Sequence, residues 1–213
     1  MSDDRPPDAA GRGHRRRESF GERRDRRAAV DDPAVVLEAA ARFLEVRSRS
    51  VAEVRRRLTG NGYRPDLVDG AIERMTDLGM LDDGAFARAW VESRDRSRPR
   101  GERAIRAELG QKGVDRAIVD AVLAGRRAGG VGGADPDEPV DPERGPVSAD
   151  RAAAERLMAK HARSLARTAD PRQRRARAYA LLARNGFDPE TCREVGAMAA
   201  SGWDDGGDAS GDT

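Results

Sequence analysis

The feature that most constrains the fold of this chain is a short apolar pattern that occurs three times. In each copy, two apolar or small residues and a glycine follow one another at four-residue spacing: Val54, Leu58 and Gly62; Ile105, Leu109 and Gly113; and Ala178, Leu182 and Gly186. Residues four apart lie on the same face of an α-helix. Glycine adopts the left-handed conformation that ends a helix without the steric penalty of a Cβ atom. The pattern therefore predicts three helices, each stopped at a glycine.

Start signals support the helix that each glycine ends, and further signals predict two more helices in every copy. For the glycine-stopped helix, Ser50 with Glu53 and Asp170 with Gln173 have capping-box spacing, while Gly101 fills this position less well. A second helix begins after each glycine, where capping acids or a first-turn proline occur: Pro65 and Asp66; Asp115; and Asp188, Pro189 and Glu190. A third helix lies upstream, where apolar residues recur at helical spacing. Each copy is thus a unit of three helices.

The composition favours helices over strands. Aromatic residues make up 4% of the sequence, and no segment alternates apolar and polar residues as a half-buried strand does. With 38% hydrophobic and 37% charged residues, the chain has little material for one large core. The predicted fold is all-α, with three tandem three-helix repeats stacked into an elongated, curved body and disordered N-terminal and C-terminal tails.

Low-complexity segments separate these units. Residues 1–32 form a basic to mixed-charge tail, residues 125–148 are rich in Gly, Pro and Asp, and residues 202–213 are acidic. We expect disordered tails and a flexible linker, because such compositions cannot offset the entropy of ordering. Since the third repeat follows this linker, we expect it to engage a partner semi-independently of the first two. The predicted repeats span 33–79, 80–124 and 149–201.

The sequence contains no constellation typical of an enzyme or a metal site. It has no phosphate-binding glycine loop and no Cys/His cluster with ligand spacing, and its histidines are His14 and His161. The adjacent acids Asp82 and Asp83 precede an apolar helix and are better explained as capping residues than as metal ligands. Cys192, the one cysteine, is expected to be a buried structural thiol. We therefore predict a protein without catalysis and without a cofactor.

The location of the protein is also constrained. No stretch approaches the length of an apolar membrane span, and no apolar core of a signal peptide follows the arginine-rich N-terminus. A single cysteine fits a reducing compartment. We expect a cytoplasmic, monomeric protein without membrane contact.

Partner binding is expected to reside in basic residues that recur at similar places in the three copies. The 40 Lys and Arg nearly balance 38 Asp and Glu, so the distribution of charge decides what the surface binds. Equivalent basic positions on stacked repeats would form a stripe suited to phosphates or to an acidic protein face. The alternative is that each arginine belongs to the solvated face of its helix. The candidates are Arg55, Arg56 and Arg57; Arg94, Arg98, Arg100, Arg103 and Lys112; and Arg172, Arg174, Arg175 and Arg177, in the most basic copy.

The segment between residues 49 and 122 contains a distinctive set of motifs. The most distinctive is Leu78-Gly79-Met80-Leu81-Asp82-Asp83, followed by Phe86-Ala87 and Trp90-Val91. Arg49-Ser50-Val51-Ala52-Glu53-Val54 lies upstream; Gly101, Ile105-Arg106-Ala107-Glu108-Leu109 and Lys112-Gly113-Val114 lie downstream. The combination of these turns at this separation is fairly specific, and it resembles the RecX family. The third copy is more divergent, and the segment at 125–146 is an insertion in the family pattern.

The resemblance implies a non-catalytic regulator that binds the RecA recombinase and the RecA–DNA filament. Such a protein enters the filament groove and mainly inhibits filament extension, ATP hydrolysis and strand exchange, within homologous recombination, DNA repair and the SOS response. The basic groups alone leave a second hypothesis open, a sequence-independent DNA-binding protein whose arginines contact phosphates directly.

Overall fold

The computed structural model describes residues 18–128 and 148–201, and within these ranges every regular element is a helix. Residues 1–17, most of the predicted linker and the predicted C-terminal tail lie outside the described residues. The prediction of an all-helical fold is confirmed. In chain order the helices are α1 (Phe20–Ala28), α2 (Pro33–Leu44), α3 (Val51–Gly60), α4 (Pro65–Asp77), α5 (Asp83–Ser97), α6 (Glu102–Gln111), α7 (Arg116–Ala128), α8 (Ala149–Ala166), α9 (Pro171–Arg184) and α10 (Pro189–Ser201).

Apart from α1, the helices form three units: repeat 1 (α2 to α4), repeat 2 (α5 to α7) and repeat 3 (α8 to α10). Each repeat closes around its own apolar core. The apolar residues of the sequence pattern lie inside these cores and are at most 1% exposed: Val54 and Leu58; Ile105 and Leu109; and Ala178 and Leu182. The predicted organisation in three-helix repeats is therefore confirmed.

The glycine of each pattern has the positive φ predicted for a residue that ends a helix. This angle is 103° at Gly62, 79° at Gly113 and 84° at Gly186. In every turn the residue after the glycine is buried and donates its N–H to the leucine carbonyl of the pattern. These bonds run from Tyr63 to Leu58, from Val114 to Leu109 and from Phe187 to Leu182.

Neighbouring repeats dock through the same turns. The turn of repeat 2 rests on the first turn of α3 in repeat 1, where a Cβ atom added to Gly113 would meet the Cβ of Ala52. The turn of repeat 3 rests on α6 in the same way, where a Cβ at Gly186 would lie 2.5 Å from the Cβ of Ala104. Glycine permits this approach because it has no side chain. The turn glycines thus end helices and also seat one repeat on the next.

Hydrogen bonds at the start of α3 and α6 hold each turn in place. The Ser50 hydroxyl donates to the Lys112 carbonyl at 2.6 Å, and the Gly101 N–H donates to the Asn185 carbonyl at 3.0 Å. Ser50 also forms the predicted capping box with Glu53. Ser50 is fully buried because the neighbouring repeat covers it.

An aspartate from the following repeat completes each junction. The Asp83 carboxylate accepts the N–H of Val51 at 2.9 Å, and the Asp150 carboxylate accepts the N–H of Glu102 at 3.1 Å. These amides are the first in α3 and α6, where a helix has no internal acceptor for them. Burial raises the pKa of both carboxyls, and the hydrogen bond from the amide opposes this rise. The two junctions therefore share the same chemistry.

Helix α7 continues to Ala128, four residues into the segment predicted as a linker. The reason is Arg126, whose side chain is 6% exposed and pairs with Asp95 at 2.8 Å and with Asp150 of repeat 3. Lys160 of repeat 3 also donates to the Ser97 carbonyl at 2.6 Å. Repeat 3 is therefore packed on repeat 2, and its semi-independent engagement of a partner stays a prediction.

Helix α1 lies within the segment predicted to be a disordered tail. Ser19 caps it in a reciprocal capping box, in which the Ser19 N–H donates to Glu22 at 2.6 Å and the Glu22 N–H donates to the Ser19 hydroxyl at 3.2 Å. The composition argument failed here because local capping and contact with repeat 1 stabilise a helix that buries no residue of its own.

Candidate partner-binding surface

Several candidate basic residues of repeats 1 and 2 form ion pairs within the protein. Arg55 pairs with Asp69 on α4. Arg94 pairs with Glu108 at 2.6 Å, and both side chains are less than one quarter exposed. Arg100 lies 3.6 Å from the same carboxylate. Arg94 and Arg100 neutralise a partly buried acid, so their charge contributes mainly to the fold, whereas Arg55 and Asp69 form an exposed pair.

Lys112 belongs to the junction of repeats 1 and 2. Its ammonium lies 3.0 Å from the Glu53 carboxylate and 5.2 Å from the Trp90 ring centroid. Burial disfavours the charged form of Glu53, but hydrogen bonds from Lys112 and from the Ser50 N–H outweigh this effect and lower the pKa of Glu53. Arg94 lies 4.3 Å from the same Trp90 ring. Lys112 therefore links the two repeats.

Four other candidates are exposed. Arg57 lies over the Phe43 ring at 5.5 Å, with its charge facing solvent. Arg56, Arg98 and Arg103 form no ion pair with any residue in 18–128 or 148–201. Arg56 lies close to the Gly113 turn, beside the junction of repeats 1 and 2. These residues remain candidates for contact with a partner.

Arg174 is not available to a partner, contrary to the sequence-based expectation. It is 6% exposed, and its guanidinium donates to the carbonyls of Thr168 at 3.1 Å and Ala200 at 2.9 Å. Arg174 lies four residues before the first apolar residue of its pattern, as the helix caps Ser50 and Gly101 do in theirs. Helix α9, however, starts one turn earlier than α3 and α6, at Pro171. Arg174 thus stabilises the C-terminal end of the stack.

Arg177, the last candidate of the third copy, also has a partner within repeat 3. Its guanidinium donates to the Thr168 hydroxyl at 2.7 Å. Thr168 is 5% exposed and lies in the turn between α8 and α9. Arg177 therefore helps to hold this turn against α9.

Repeat 3 carries an open groove between α9 and α10, with a volume of about 460 Å³. Arg172, Arg175 and Tyr179 lie along the α9 side, and Arg193 lies on α10. Ala176, Ala197 and Cys192 also line it.

The arginines of the groove are exposed to solvent. Arg172 and Arg175 form no ion pair with any described residue, and Arg193 donates to the Pro189 carbonyl of its own helix at 3.0 Å. Tyr179 is 37% exposed. Guanidinium groups form paired hydrogen bonds with phosphates and carboxylates, and a tyrosine ring packs against flat or apolar groups. The groove therefore suits an anionic ligand that has an apolar or aromatic part.

The nearby acids Asp170, Asp188, Glu155 and Glu194 have other partners and form no ion pair with the groove arginines. Asp170 caps α9 by accepting the Arg172 N–H, and Asp188 caps α10. Glu155 and Glu194 both pair with Arg151 of α8. The high arginine content of the third copy predicted this basic character.

Tyr179 and Arg193 were not among the candidates from the sequence. The signal that could have identified Tyr179 is its spacing from the arginines, because positions 172, 175, 176 and 179 follow one helical face. Arg193 reaches the groove through the packing of α10 on α9, which no local pattern shows.

The remaining sequence-derived candidates have structural roles. Asp82 caps α5 by accepting the N–H groups of Gly84 at 2.7 Å and Ala85 at 2.9 Å, which lower its pKa. Cys192 is buried as predicted, and burial raises the pKa of its thiol. Among the described residues, no group of His, Cys, Asp and Glu could hold a metal ion, and no helix has both the length and the apolar character to cross a membrane.

Comparison with protein families identifies each repeat. The profile of the first three-helix domain of RecX matches residues 37–75, that of the second domain matches 82–123, and that of the third matches 149–195. The solved structure of RecX from Lactobacillus salivarius has the same fold, with a TM-score of 0.61 at 18% identity over 82% of this chain and 97% of that chain.

Comparison with curated proteins gives the same result at the level of whole chains. The regulatory protein RecX of Mycobacterium ulcerans is 34% identical over 154 residues, which cover 72% of this chain and 78% of the relative. The regulatory protein RecX of Mycolicibacterium vanbaalenii is 42% identical over 88 residues, or 41% of this chain and 48% of the relative. The resemblance seen in the sequence motifs is confirmed, and the chain belongs to the RecX family of regulatory proteins.

Proposed function

We propose that this protein is a non-catalytic regulator that binds the RecA recombinase filament on DNA and limits its extension, its ATP hydrolysis and strand exchange. Membership in a family of regulatory proteins supports the regulatory role. The partner follows from the family resemblance. The binding surface is proposed from the charge distribution.

The observation that carries the proposal is the basic groove of repeat 3. Arg172, Arg175 and Arg193 lie on two packed helices and form no ion pair with any described residue. Because the two helices are packed together, binding has to order only the arginine side chains and not the backbone that carries them. They therefore suit repeated contact with an acidic protein face or a phosphate backbone, both of which a nucleoprotein filament offers.

The docked repeats provide the means to limit extension. The junctions at Asp83 and Asp150 make one body of the three repeats, and the groove lies at one end of that body. A body anchored at the groove and lying along the filament would bridge adjacent protomers. Arg56, Arg57 and Arg103 would supply further contacts from α3 and α6. Such a bridge blocks monomer addition and the protomer movement that accompanies ATP turnover.

The test is a charge reversal in the groove. Arg172→Glu/Arg175→Glu should weaken binding to RecA filaments at least about tenfold, because two attractive contacts become repulsive. The control, Arg74→Glu/Arg116→Glu, changes the net charge equally on exposed positions of repeats 1 and 2. Filament capture, filament length and the DNA-dependent ATPase of RecA are the readouts. Equal binding by both double variants would reject the groove as the contact, and failure of the parent protein to bind filaments would reject the function.

A second candidate function, direct and sequence-independent DNA binding, is favoured by one observation. Tyr179 lies exposed beside arginines in the groove, and an aromatic ring between basic residues suits stacking on a base of single-stranded DNA. This function requires binding to bare DNA that falls steeply with salt and weakens in Tyr179→Ala. Binding that depends on RecA and persists in Tyr179→Ala favours the recombinase as the partner.

A further inference from the structure

The docking geometry that joins the repeats occurs a third time, at the N-terminal end of the stack. The turn of repeat 1 rests on α1, where a Cβ added to Gly62 would lie 2.5 Å from the Arg24 Cγ and 2.7 Å from the Arg24 carbonyl oxygen. Gly113 and Gly186 meet α3 and α6 in the same way. Each of the three turn glycines therefore rests on a helix that lies earlier in the chain.

Helix α1 also resembles the middle helix of a repeat in how it begins. It begins with a reciprocal capping box, Ser19 with Glu22, as α3 does with Ser50 and Glu53. In both helices the contact with the glycine turn falls within the first two turns, at Arg24 and Ala52.

Side-chain contacts also join α1 and the residues after it to repeat 1, beyond the contact at Gly62. The Arg27 guanidinium lies 5.8 Å from the ring centroid of Tyr63, the residue directly after Gly62. Arg64 pairs with Asp31 at 2.7 Å, and Val30 packs against the core of repeat 1. Helix α1 has no buried residue, so its attachment depends on this end of repeat 1.

We infer that the end face of repeat 1, formed by Gly62, Tyr63 and Arg64, is a helix-docking surface and that α1 is its occupant. Helix α1 stands in for the middle helix of a preceding repeat. Terminal units of stacked repeats need such a cover, because an open docking face exposes surface that an internal repeat buries. The face binds the first turns of a helix whose backbone closely approaches Gly62 and which places an arginine over the Tyr63 ring.

The test is made on the full chain with two glycine variants. Gly62→Ala strains a positive φ and also places a methyl group against α1. Gly79→Ala is the matched control, because Gly79 has a φ of 67° but no atom within 4 Å of an added Cβ. Hydrogen exchange of the amides of α1 is the readout. We expect α1 to be protected in the parent and in Gly79→Ala, and to exchange at least about tenfold faster in Gly62→Ala.

A second pair of variants keeps the proposal testable if Gly62→Ala does not fold. Arg27→Ala removes the contact with Tyr63, whereas Arg26→Ala removes only a pair with Glu18, which directly precedes the Ser19 cap of the same helix. Faster exchange of α1 in Arg27→Ala alone supports the proposal. Absence of protection in the parent, or equal exchange of α1 in both members of either pair, overturns it.

Discussion

Replacement of Arg126 by methionine should destabilise the packing of repeat 3 on repeat 2. Arg126 donates to Asp95 at 2.8 and 3.0 Å and pairs with Asp150, and the three side chains are 6%, 13% and 19% exposed. Methionine keeps the apolar length of the side chain and removes the charge. Two carboxylates then remain in a largely buried site without the cation that joins them.

The expected loss is large because the remaining charges stay buried. Breaking a buried ion pair by removing one partner costs about 3 to 5 kcal/mol. With a urea dependence of about 2 kcal/mol per molar, this loss moves the unfolding midpoint by about 2 M. Arg127→Met is the matched control, because Arg127 pairs with Glu102 at 2.6 Å but is 57% exposed. Such an exposed pair contributes about 1 kcal/mol or less.

The pH dependence provides an independent check. Burial raises the pKa of Asp150 in the folded state, so the folded protein binds this proton more tightly than the unfolded chain does. The free-energy cost of burying the Asp150 carboxylate is present at pH values above its pKa in the folded protein. This cost disappears as the pH falls through that pKa. Arg126 offsets that cost in the parent. The difference in stability between the parent and Arg126→Met should therefore shrink as the pH is lowered.

Urea unfolding at several pH values measures both effects. The triple variant Arg126→Met/Asp95→Asn/Asp150→Asn should regain most of the loss, because the amide oxygen introduced by Asp150→Asn can still accept the N–H of Glu102 without a buried charge. A loss below about 1 kcal/mol in Arg126→Met, or no recovery in the triple variant, would refute the role of the buried pair in joining the repeats.

Three further substitutions or reactions test the remaining structural assignments. Ser50→Ala should lose about 2 kcal/mol of unfolding free energy, since it removes a helix cap and the hydrogen bond to the Lys112 carbonyl; a loss below about 0.5 kcal/mol would contradict this dual role. Arg174→Met should lower the free energy of unfolding by about 2 to 3 kcal/mol, because buried carbonyls are left without donors. Arg172→Met should change the free energy of unfolding by less than about 0.5 kcal/mol. Equal effects of the two substitutions would refute the structural role of Arg174. The thiol of Cys192 should react with iodoacetamide only as fast as the protein opens, and reaction at the rate of a free cysteine would show that it is accessible.

The repeated elements of this fold could be predicted because their causes are local. A glycine at the end of an apolar stripe determines where a helix stops, and the capping box of Ser50 with Glu53 determines where the same helix starts. Both signals lie within a few residues of the feature they produce. The capping box at Ser19 and Glu22 is equally local, but the polar composition around it led to a prediction of disorder.

The contacts between repeats could not be predicted because their partners are distant in sequence. The sequence predicts an ordinary capping acid at Asp83, yet its carboxylate accepts a hydrogen bond from a backbone N–H of the preceding repeat. Arg126 lies in a segment that resembles a linker, and its role depends on Asp95 and Asp150. The sequence around Arg174 predicts a surface arginine, but the extra turn of α9 buries it. In each case the side chain is ordinary and its position in the stack decides its function.

The two ends of the stack differ in a way that bears on partner binding. At the N-terminal end, α1 covers the docking face of repeat 1. At the C-terminal end, α9 begins with Pro171, which lacks the N–H that Val51 and Glu102 donate to an aspartate of the next repeat. That aspartate contact therefore cannot form at the start of α9. The extra turn of α9 also carries Arg172 at the mouth of the groove. The loss of the docking N–H and the position of this groove arginine thus have the same origin.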